Sequence, residues 1–207
     1  MLLRARRVHP LVAELIELAE SSQEAFDDHA EAMGWSDGLP LVPPTPERVE
    51  AMLSAGGVDR DHELGAMPPK QGVVTAEAIA VNTVMAGGRP AVFPVVLAAM
   101  EAMLDPAFNL FAVQATTHPC SPLVIVNGPM AAELDINARY GAFGPGTRAN
   151  ATIGRAVRLC LLNIGGGAPG VLDRSTQGQP SKYAFCVAEN EAESPWEPLH
   201  VERGFDP

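Results

Sequence analysis

Apolar residues recur with the spacing of one helix face in five segments of the chain. The first segment runs from Pro10 to Met33, with a proline at its first position, a glycine after its end and an acidic outer face. One side of this segment carries Leu11, Leu15, Leu18 and Ser22. We therefore predict an N-terminal helical element within residues 1–33, which we expect to dock on a partner subunit, and a single globular domain over 34–207.

Four further helices are predicted by apolar stripes bounded by capping residues, prolines and glycines. They cover residues 46–56, 76–86, 93–104 and 149–163. The segment 93–104 is nearly all apolar, which predicts burial on most of its sides.

Short apolar or β-branched runs bounded by proline or glycine predict three buried strands. These runs are 111–116, 123–126 and 183–188. Helices and strands do not alternate as regular βαβ units, so the predicted fold class is α+β, or irregular α/β, with mixed short strands and about five helices. The 19 glycines and 19 prolines indicate many ordered loops, which often build functional sites.

Composition excludes several classes of function. Hydrophobic residues make up 47% of the chain and aromatic residues only 5%, which predicts a large aliphatic core. The net charge of −11, without a basic cluster interleaved with aromatic residues, argues against nucleic-acid binding. No apolar stretch reaches the roughly 18 residues of a membrane span. Glu14 and Glu17 interrupt what would be the apolar part of a signal peptide, so our interpretation is a cytoplasmic protein.

The three cysteines do not form a disulfide framework, since no C-x-x-C is present and an odd number cannot all pair. Cys160 lies on the apolar stripe of the helix over 149–163, and Cys186 lies within a predicted strand. Both are predicted to be buried. Cys120 differs, because it sits in a polar loop two residues after His118. These two residues are candidate catalytic partners, as thiolate and base, or candidate metal ligands; a buried thiol and a locally hydrogen-bonded histidine are the alternative.

The loop that precedes the helix over 149–163 is a candidate binding site for a small anion. Its glycines allow close backbone approach, the first amides of the helix lack helical partners, and an arginine offers a fork for carboxylate or phosphate. A tight turn with a capped helix is the alternative. The predicted substrate-binding residues here are Gly144, Gly146, Thr147, Arg148, Asn150 and Thr152.

Two carboxylates begin where the last predicted strand stops. Glu191 with His200 is a candidate for general acid–base catalysis or for binding a metal ion, and Glu189 is a candidate substrate-binding residue. A solvated acidic turn is the alternative. Further substrate-binding candidates are Asn127, Lys182 and Tyr183. Asp37 is a further catalytic candidate in a rigid proline-rich segment, or else a turn cap.

Several long stretches together resemble one known family. They are GWSDGLPLVPPTPERVEAML (34–53), residues 78–94, SPLVIVNGP (121–129), GPGTRANATIGRA (144–156) and KYAFCVAENEAESPWEPLHVERGF (182–205). The chain resembles the domain of the UGSC-type (seleno)protein family that accompanies a Cys/Sec-Gly-Ser-Cys redox segment. The resemblance implies an enzyme with thiol-linked or redox chemistry, but this sequence contains no Cys-Gly-Ser-Cys.

Three hypotheses for function remain open. In the first, an enzyme binds a small carboxylate-like substrate at 144–150 and performs oxidoreductase, lyase or hydrolytic chemistry. In the second, the chain is a non-catalytic subunit of a homo- or hetero-oligomer whose thiol or selenol active site lies on another chain. In the third, a metal ion is the cofactor of an enzyme, held by His118, Cys120, Glu191 and His200. None of the three involves nucleic acid or a membrane.

Overall fold

The computed structural model describes residues 2–5 and 14–206. Within these residues the helices are α1 (Gln23–Ala32), α2 (Pro46–Gly56), α3 (Ala76–Met85), α4 (Phe93–Leu104), α5 (Leu110–Gln114), α6 (Pro129–Glu133), α7 (Arg148–Asn163) and α8 (Leu199–Glu202). The strands are β1 (Leu2–Ala5), β2 (Glu14–Glu17), β3 (Glu63–Met67), β4 (Gly72–Thr75), β5 (Val124–Val126) and β6 (Cys186–Ala188). The fold is mixed α+β, as predicted, with about 43% helix and 10% strand.

The core is built by α2, α3, α4 and α7, which pack on one another. Its fully buried side chains are mostly aliphatic, and Phe26 and Phe93 are its only fully buried aromatic side chains among the residues that the structure describes. Polar groups that enter this core are satisfied locally. Thr83, on α3, donates its hydroxyl to the carbonyl of Ile79 at 2.8 Å, one turn earlier. The predicted aliphatic core is therefore confirmed.

Three pairs of strands lie in the described part of the chain. β1 pairs with β2 and β3 with β4, both antiparallel, whereas β5 and β6 are parallel, with Val124 opposite Cys186 and Val126 opposite Ala188. β6 also contacts α7. Because the strands of a parallel pair end at the same edge, the loops after β5 and β6 meet there, and the loops before them meet at the other edge.

Four of the five predicted helices are confirmed within one residue at each end: α2, α3, α4 and α7. Their boundaries follow the local chemistry of the sequence. The hydroxyl of Thr75 accepts a hydrogen bond from the amide of Ala78 at 3.1 Å and so caps α3. Gly57, with a φ of +61°, ends α2 in the left-handed conformation that suits glycine.

The predicted helix over 10–33 is wrong in its first half. Glu14–Glu17 form β2, paired with β1, and residues 6–13 lie outside the described residues. The helix starts only at Gln23, where the hydroxyl of Ser22 accepts from the amide of Ala25. Moreover, Phe26 and Ala30 on α1 are fully buried in the core of their own chain, so this face of α1 packs there, and docking of residues 1–33 on a partner subunit stays a prediction.

Two predicted strands also need correction. Residues 111–116 do not form a strand, because Leu110–Gln114 are helical and bury Leu110 and Gln114, which are four residues apart on one face. The predicted strand over 183–188 is reduced to β6, since Tyr183 has helical backbone angles as the cap of a 3₁₀ turn over Pro180–Lys182, and residues 184–185 are irregular. The β3–β4 hairpin was not predicted, because the Pro68-Pro69 pair in its turn does not carry a common hairpin signal. Among the described residues, no helix has both the length and the apolar character to cross a bilayer.

Candidate functional site

Three polar side chains meet at the carboxyl ends of β5 and β6. Glu189 and Glu191 directly follow β6, and His200 lies on α8. One ligand atom from each of the three residues lies within 4.8 Å of the others. We call this set the Glu–Glu–His cluster. It brings together one predicted substrate-binding residue and two predicted catalytic residues.

Glu189 is held from two sides. Its carboxylate accepts a hydrogen bond from the side-chain amide of Asn127, the residue directly after β5. It also accepts from the backbone amide of Leu199, at 3.1 Å for Oε2 and 3.3 Å for Oε1. Asn127 and Glu189 are 62 residues apart in sequence, so the parallel pairing of β5 with β6 creates this contact. These partners orient the carboxylate in the way that outer-shell groups orient metal ligands.

Glu191 is fixed by the backbone of the other strand. Its Oε1 accepts from the amide of Gly128 at 2.6 Å and lies 3.4 Å from Nδ1 of His200. Gly128 has a φ of +72°, and a Cβ built there would lie 3.5 Å from Nε2 of His200. The positive φ would strain any other residue at this position, and a Cβ would meet the imidazole only in ordinary van der Waals contact, so backbone conformation explains a glycine here.

The imidazole of His200 is the unsatisfied member of the cluster. Both of its ring nitrogens are buried, and apart from the 3.4 Å approach of Nδ1 to Glu191 neither makes a hydrogen bond to any described residue. An unpaired polar atom out of contact with water costs about 1–3 kcal/mol. Two ligands of one ion, each at about 2.1 Å, lie at most about 4.2 Å apart, so small side-chain rotations would gather these atoms around a cation. Two carboxylates and one imidazole suit a divalent ion such as Mn²⁺, Fe²⁺ or Zn²⁺.

A cleft opens at the amino ends of the same two strands. It is partly open to solvent and lies between the segment before β5, one side of α7 and the loop before β6. We call it the thiol cleft and define it by its polar lining: Gln114, Cys120, Arg158, Asp173, Ser181 and Lys182. Its apolar wall includes Val157 and Phe185.

Asp173 is the electrostatic centre of the thiol cleft. Its Oδ2 lies 2.6 Å from Nζ of Lys182 and 4.0 Å from a guanidinium nitrogen of Arg158, and its Oδ1 accepts from the hydroxyl of Ser175 at 2.6 Å. Burial would raise the pKa of this carboxyl, but the hydrogen bonds of Lys182 and Ser175 and the charge of Lys182 hold the pKa below its usual value. Burial lowers the pKa of Arg158, against the pull of Asp173.

The side-chain amide of Gln114 packs against the turn Gly165-Gly166-Gly167, which follows α7. Gln114 is only 6% exposed, and its Nε2 donates to the carbonyl of Pro68. A Cβ on Gly165 or Gly167 would overlap the amide of Gln114, and one on Gly165 would also lie 2.8 Å from the carbonyl oxygen of Pro68, so the Gln114 amide packs directly against this turn. Within residues 2–5 and 14–206, neither Oε1 of Gln114 nor the buried hydroxyl of Ser181 has a hydrogen-bond partner.

The three cysteines lie in different environments. Cys120 is exposed at the thiol cleft, whereas Cys160 and Cys186 are buried, as predicted. Burial raises the pKa of the Cys186 thiol to about 12 and that of Cys160 further still. The chain therefore presents one thiol to solvent and two that burial keeps protonated.

The predicted anion-binding loop contributes no residue to the thiol cleft or to the Glu–Glu–His cluster. Arg148 donates to the carbonyl of Gly87 through two nitrogens, at 2.9 and 3.3 Å, and the hydroxyl of Thr152 donates to the carbonyl of Arg148. The buried amide of Asn150 donates to the carbonyls of Asn137 and Cys186 and accepts from the amide of Asn137. Gly144 and Gly146 are exposed, and Thr147 makes no side-chain cap. None of residues 144–152 lines the thiol cleft.

Two other catalytic candidates also have internal partners. Asp37 forms a two-pronged ion pair with Arg155, with both distances at 2.8 Å, and so ties the proline-rich segment to α7. Nδ1 of His118 lies 3.2 Å from the hydroxyl of Thr116, and His118 is not among the residues that line the thiol cleft with Cys120. Tyr183 is 52% exposed beside Lys182.

Sequence reasoning missed Gln114, Arg158 and Asp173. Gln114 was assigned to a strand, Arg158 was hidden within an amphipathic helix, and Asp173 lies in a loop without a motif. The Gly165-Gly166-Gly167 run was a usable signal, since three glycines are more than a helix end needs and indicate close approach of another group. Compared with known protein families, with curated proteins and with solved structures, the chain shows no match.

Proposed function

We propose that this protein is a metal-dependent hydrolase whose divalent cation is held by Glu189, Glu191 and His200. The observation that carries the proposal is the convergence of two oriented carboxylates on an imidazole whose ring nitrogens are buried without a hydrogen-bond partner. A cation would accept the lone pair of one ring nitrogen of His200 and neutralise the charge of the two carboxylates, which offsets part of the electrostatic cost of the cluster.

The number of ligands favours a catalytic over a structural ion. Structural zinc sites are closed by four protein ligands, whereas catalytic sites use three and keep a position for water or substrate. A cation in such a site lowers the pKa of bound water and polarises a substrate oxygen. Asn127 lies beside Glu189 and offers an amide that can contact a bound substrate. The substrate class that fits is a small molecule with a carbonyl or phosphoryl oxygen.

Binding of Mn²⁺ to chelator-treated protein tests this proposal. We use Mn²⁺ because it prefers oxygen and nitrogen ligands and so avoids the exposed thiol of Cys120. Electron paramagnetic resonance should show one bound ion per chain, and enhanced relaxation of water protons should show exchangeable water on it. Absence of binding, or a bound ion without exchangeable water, would contradict a catalytic centre.

The matched variants are Glu191→Gln, His200→Ala and, as control, Glu193→Gln. Glu193 lies in the same acidic segment but is exposed and pairs with Arg139 at 3.1 Å. Loss of one ligand should weaken Mn²⁺ binding at least tenfold, a change of about 1.4 kcal/mol. The control should bind as the wild type does. Equal weakening in all three variants would indicate non-specific attraction to an acidic surface.

A second candidate function is that of a subunit in a complex, and exposed aromatic side chains favour it. Tyr140, Phe143 and Trp196 are 100%, 70% and 80% exposed. The ion pair of Arg139 with Glu193 joins the segments that carry Tyr140 and Trp196. Aromatic residues are enriched at protein interfaces. The resemblance to the UGSC-type family suggests that the partner carries the Cys/Sec-Gly-Ser-Cys segment that this chain lacks.

Light scattering tests the second candidate. The chain is mixed with a protein from the same source that carries a Cys/Sec-Gly-Ser-Cys segment, and the mass of the mixture is compared with the masses of the two proteins alone. A complex that Trp196→Ser weakens and Phe111→Ser leaves unchanged would support it, because Phe111 is a comparably apolar exposed residue in another segment. An unchanged mass would contradict it.

A further inference from the structure

The thiol cleft is chemically distinct from the Glu–Glu–His cluster and lies at the opposite end of the β5–β6 pair. Cys120 and Ser121 precede β5, and Lys182 and Phe185 precede β6, whereas Glu189, Glu191 and His200 follow β6. The metal-dependent function uses none of the cleft residues. An inference about the cleft therefore stands independently of that function.

Two polar groups that line the cleft make no hydrogen bond to any residue in the described part of the chain. Oε1 of Gln114 is an acceptor on a side chain that is 94% buried, since only 6% of the residue is exposed. The hydroxyl of Ser181 is likewise buried without a partner, although the carbonyl of Ser181 accepts from Ser121 at 2.8 Å. The Gly165–Gly167 turn makes room for the Gln114 amide and fixes it in place. A ligand that contacts Oε1 of Gln114 would therefore need an N–H or O–H group as the hydrogen-bond donor.

The charges of the cleft favour an anion. Lys182 and Arg158 are two cations around the single carboxylate of Asp173, so the cleft has an excess charge of one in a chain whose net charge is −11. Lys182 uses one donor on Asp173, and Arg158 uses one on the carbonyl of Gly167 at 3.0 Å. An ammonium has three donors and a guanidinium five, so donors remain for a carboxylate.

We propose that the thiol cleft binds a small organic acid that carries a hydroxyl or amino group, with Cys120 at the mouth of the site. The carboxylate contacts the free donors of Lys182 and Arg158, and the hydroxyl or amino group donates to Oε1 of Gln114. Val157 and Phe185 pack against the carbon skeleton. A ligand in this position covers the thiol of Cys120 and slows its reaction with reagents from solution.

The experiment measures the rate at which neutral iodoacetamide alkylates Cys120, followed by mass spectrometry with peptide mapping. Three probes of similar size are compared: lactate, propionate, which lacks the hydroxyl, and lactamide, which lacks the charge. Lactate should slow alkylation at least fivefold at saturation, propionate should protect less, and lactamide should not protect. Equal rates with and without lactate, or equal protection by lactate and propionate, would overturn the proposal.

The variants are Lys182→Gln and Gln114→Met, with Arg174→Gln as matched control. Arg174 is an exposed cation next to Asp173 in sequence, and its Nε donates to the carbonyl of Val171 at 3.1 Å. Both cleft variants should lose protection by lactate, and the control should keep it. Cys160 and Cys186 report on folding in the same spectra, because they stay unmodified only while the core is intact. If Arg174→Gln also loses protection by lactate, the effect comes from positive surface charge in general, and the proposal is overturned.

Discussion

The two ends of the β5–β6 pair carry opposite electrostatics on one small piece of backbone. The carboxyl end presents two carboxylates and an imidazole with unpaired nitrogens, whereas the amino end presents two cations around one carboxylate. The three-residue strands separate these ends by only about 10 Å. The carboxyl end therefore suits a bound cation, and the amino end suits a bound anion.

The ends also differ in how their side chains are positioned. At the carboxyl end, the backbone amides of Gly128, just after β5, and of Leu199, on α8, hold the carboxylates. At the amino end, Gln114 and Asp173 are placed by a glycine turn and by a loop. A strand pair thus specifies only its edges, and the surrounding loops decide which chemistry each edge receives.

The largest expected effect is that of Asn150→Ala, which should destabilise the carboxyl and the amino end of the β5–β6 pair together. The amide of Asn150 joins α7 to the carbonyl of Cys186 on β6 and to the backbone of Asn137. Truncation leaves these buried backbone groups without partners, so we expect a loss of about 3 kcal/mol in the free energy of unfolding. Chemical denaturation measures this loss. If stability is kept and only ligand binding falls, Asn150 is a substrate-binding residue, as the sequence predicted, and not a structural one.

A smaller effect, confined to the amino end, is expected for Asp173→Asn. Removing the carboxylate leaves Lys182 and Arg158 uncompensated, and we expect a loss of about 2 kcal/mol at neutral pH. The folded-state pKa of Asp173 lies below its unfolded value, so its contribution is present above about pH 4 and is lost as the pH falls through the folded-state pKa. The variant should therefore lose less stability than the wild type on acidification.

Thermal unfolding between pH 7 and pH 2.5 checks this difference, with Mn²⁺ binding at neutral pH as the readout for the other end. Binding of Mn²⁺ should be unchanged in Asp173→Asn. Parallel pH profiles of variant and wild type would show that Asp173 does not titrate with a lowered pKa. Weakened Mn²⁺ binding would show that the two ends are coupled.

The smallest effect is expected for Arg148→Ala, which touches neither end. Arg148 is exposed and donates only to the carbonyl of Gly87, so its removal should change the free energy of unfolding by no more than about 0.5 kcal/mol. Protection of Cys120 by lactate and binding of Mn²⁺ should both persist. Loss of either one would indicate that the loop over 144–150 is part of a functional site after all.

Local patterns in the sequence determined much of the helical framework. The capped and glycine-ended segments became α2, α3, α4 and α7, because caps, prolines and apolar periodicity act within one helix. Composition likewise determined the aliphatic core. The strand-end position of Glu189 and Glu191 was visible for the same reason, since a strand and the loop after it are neighbours in sequence.

Tertiary structure decided which of the candidate side chains meet. It turned Asp37 toward Arg155 and Arg148 toward Gly87, and it placed Cys120 and Glu191 at opposite edges of one strand pair. These outcomes depend on the parallel pairing of β5 with β6, across some 60 residues of chain, and on the glycine turn that seats Gln114. Contacts of this range arise from packing, and no local pattern of residue types encodes them.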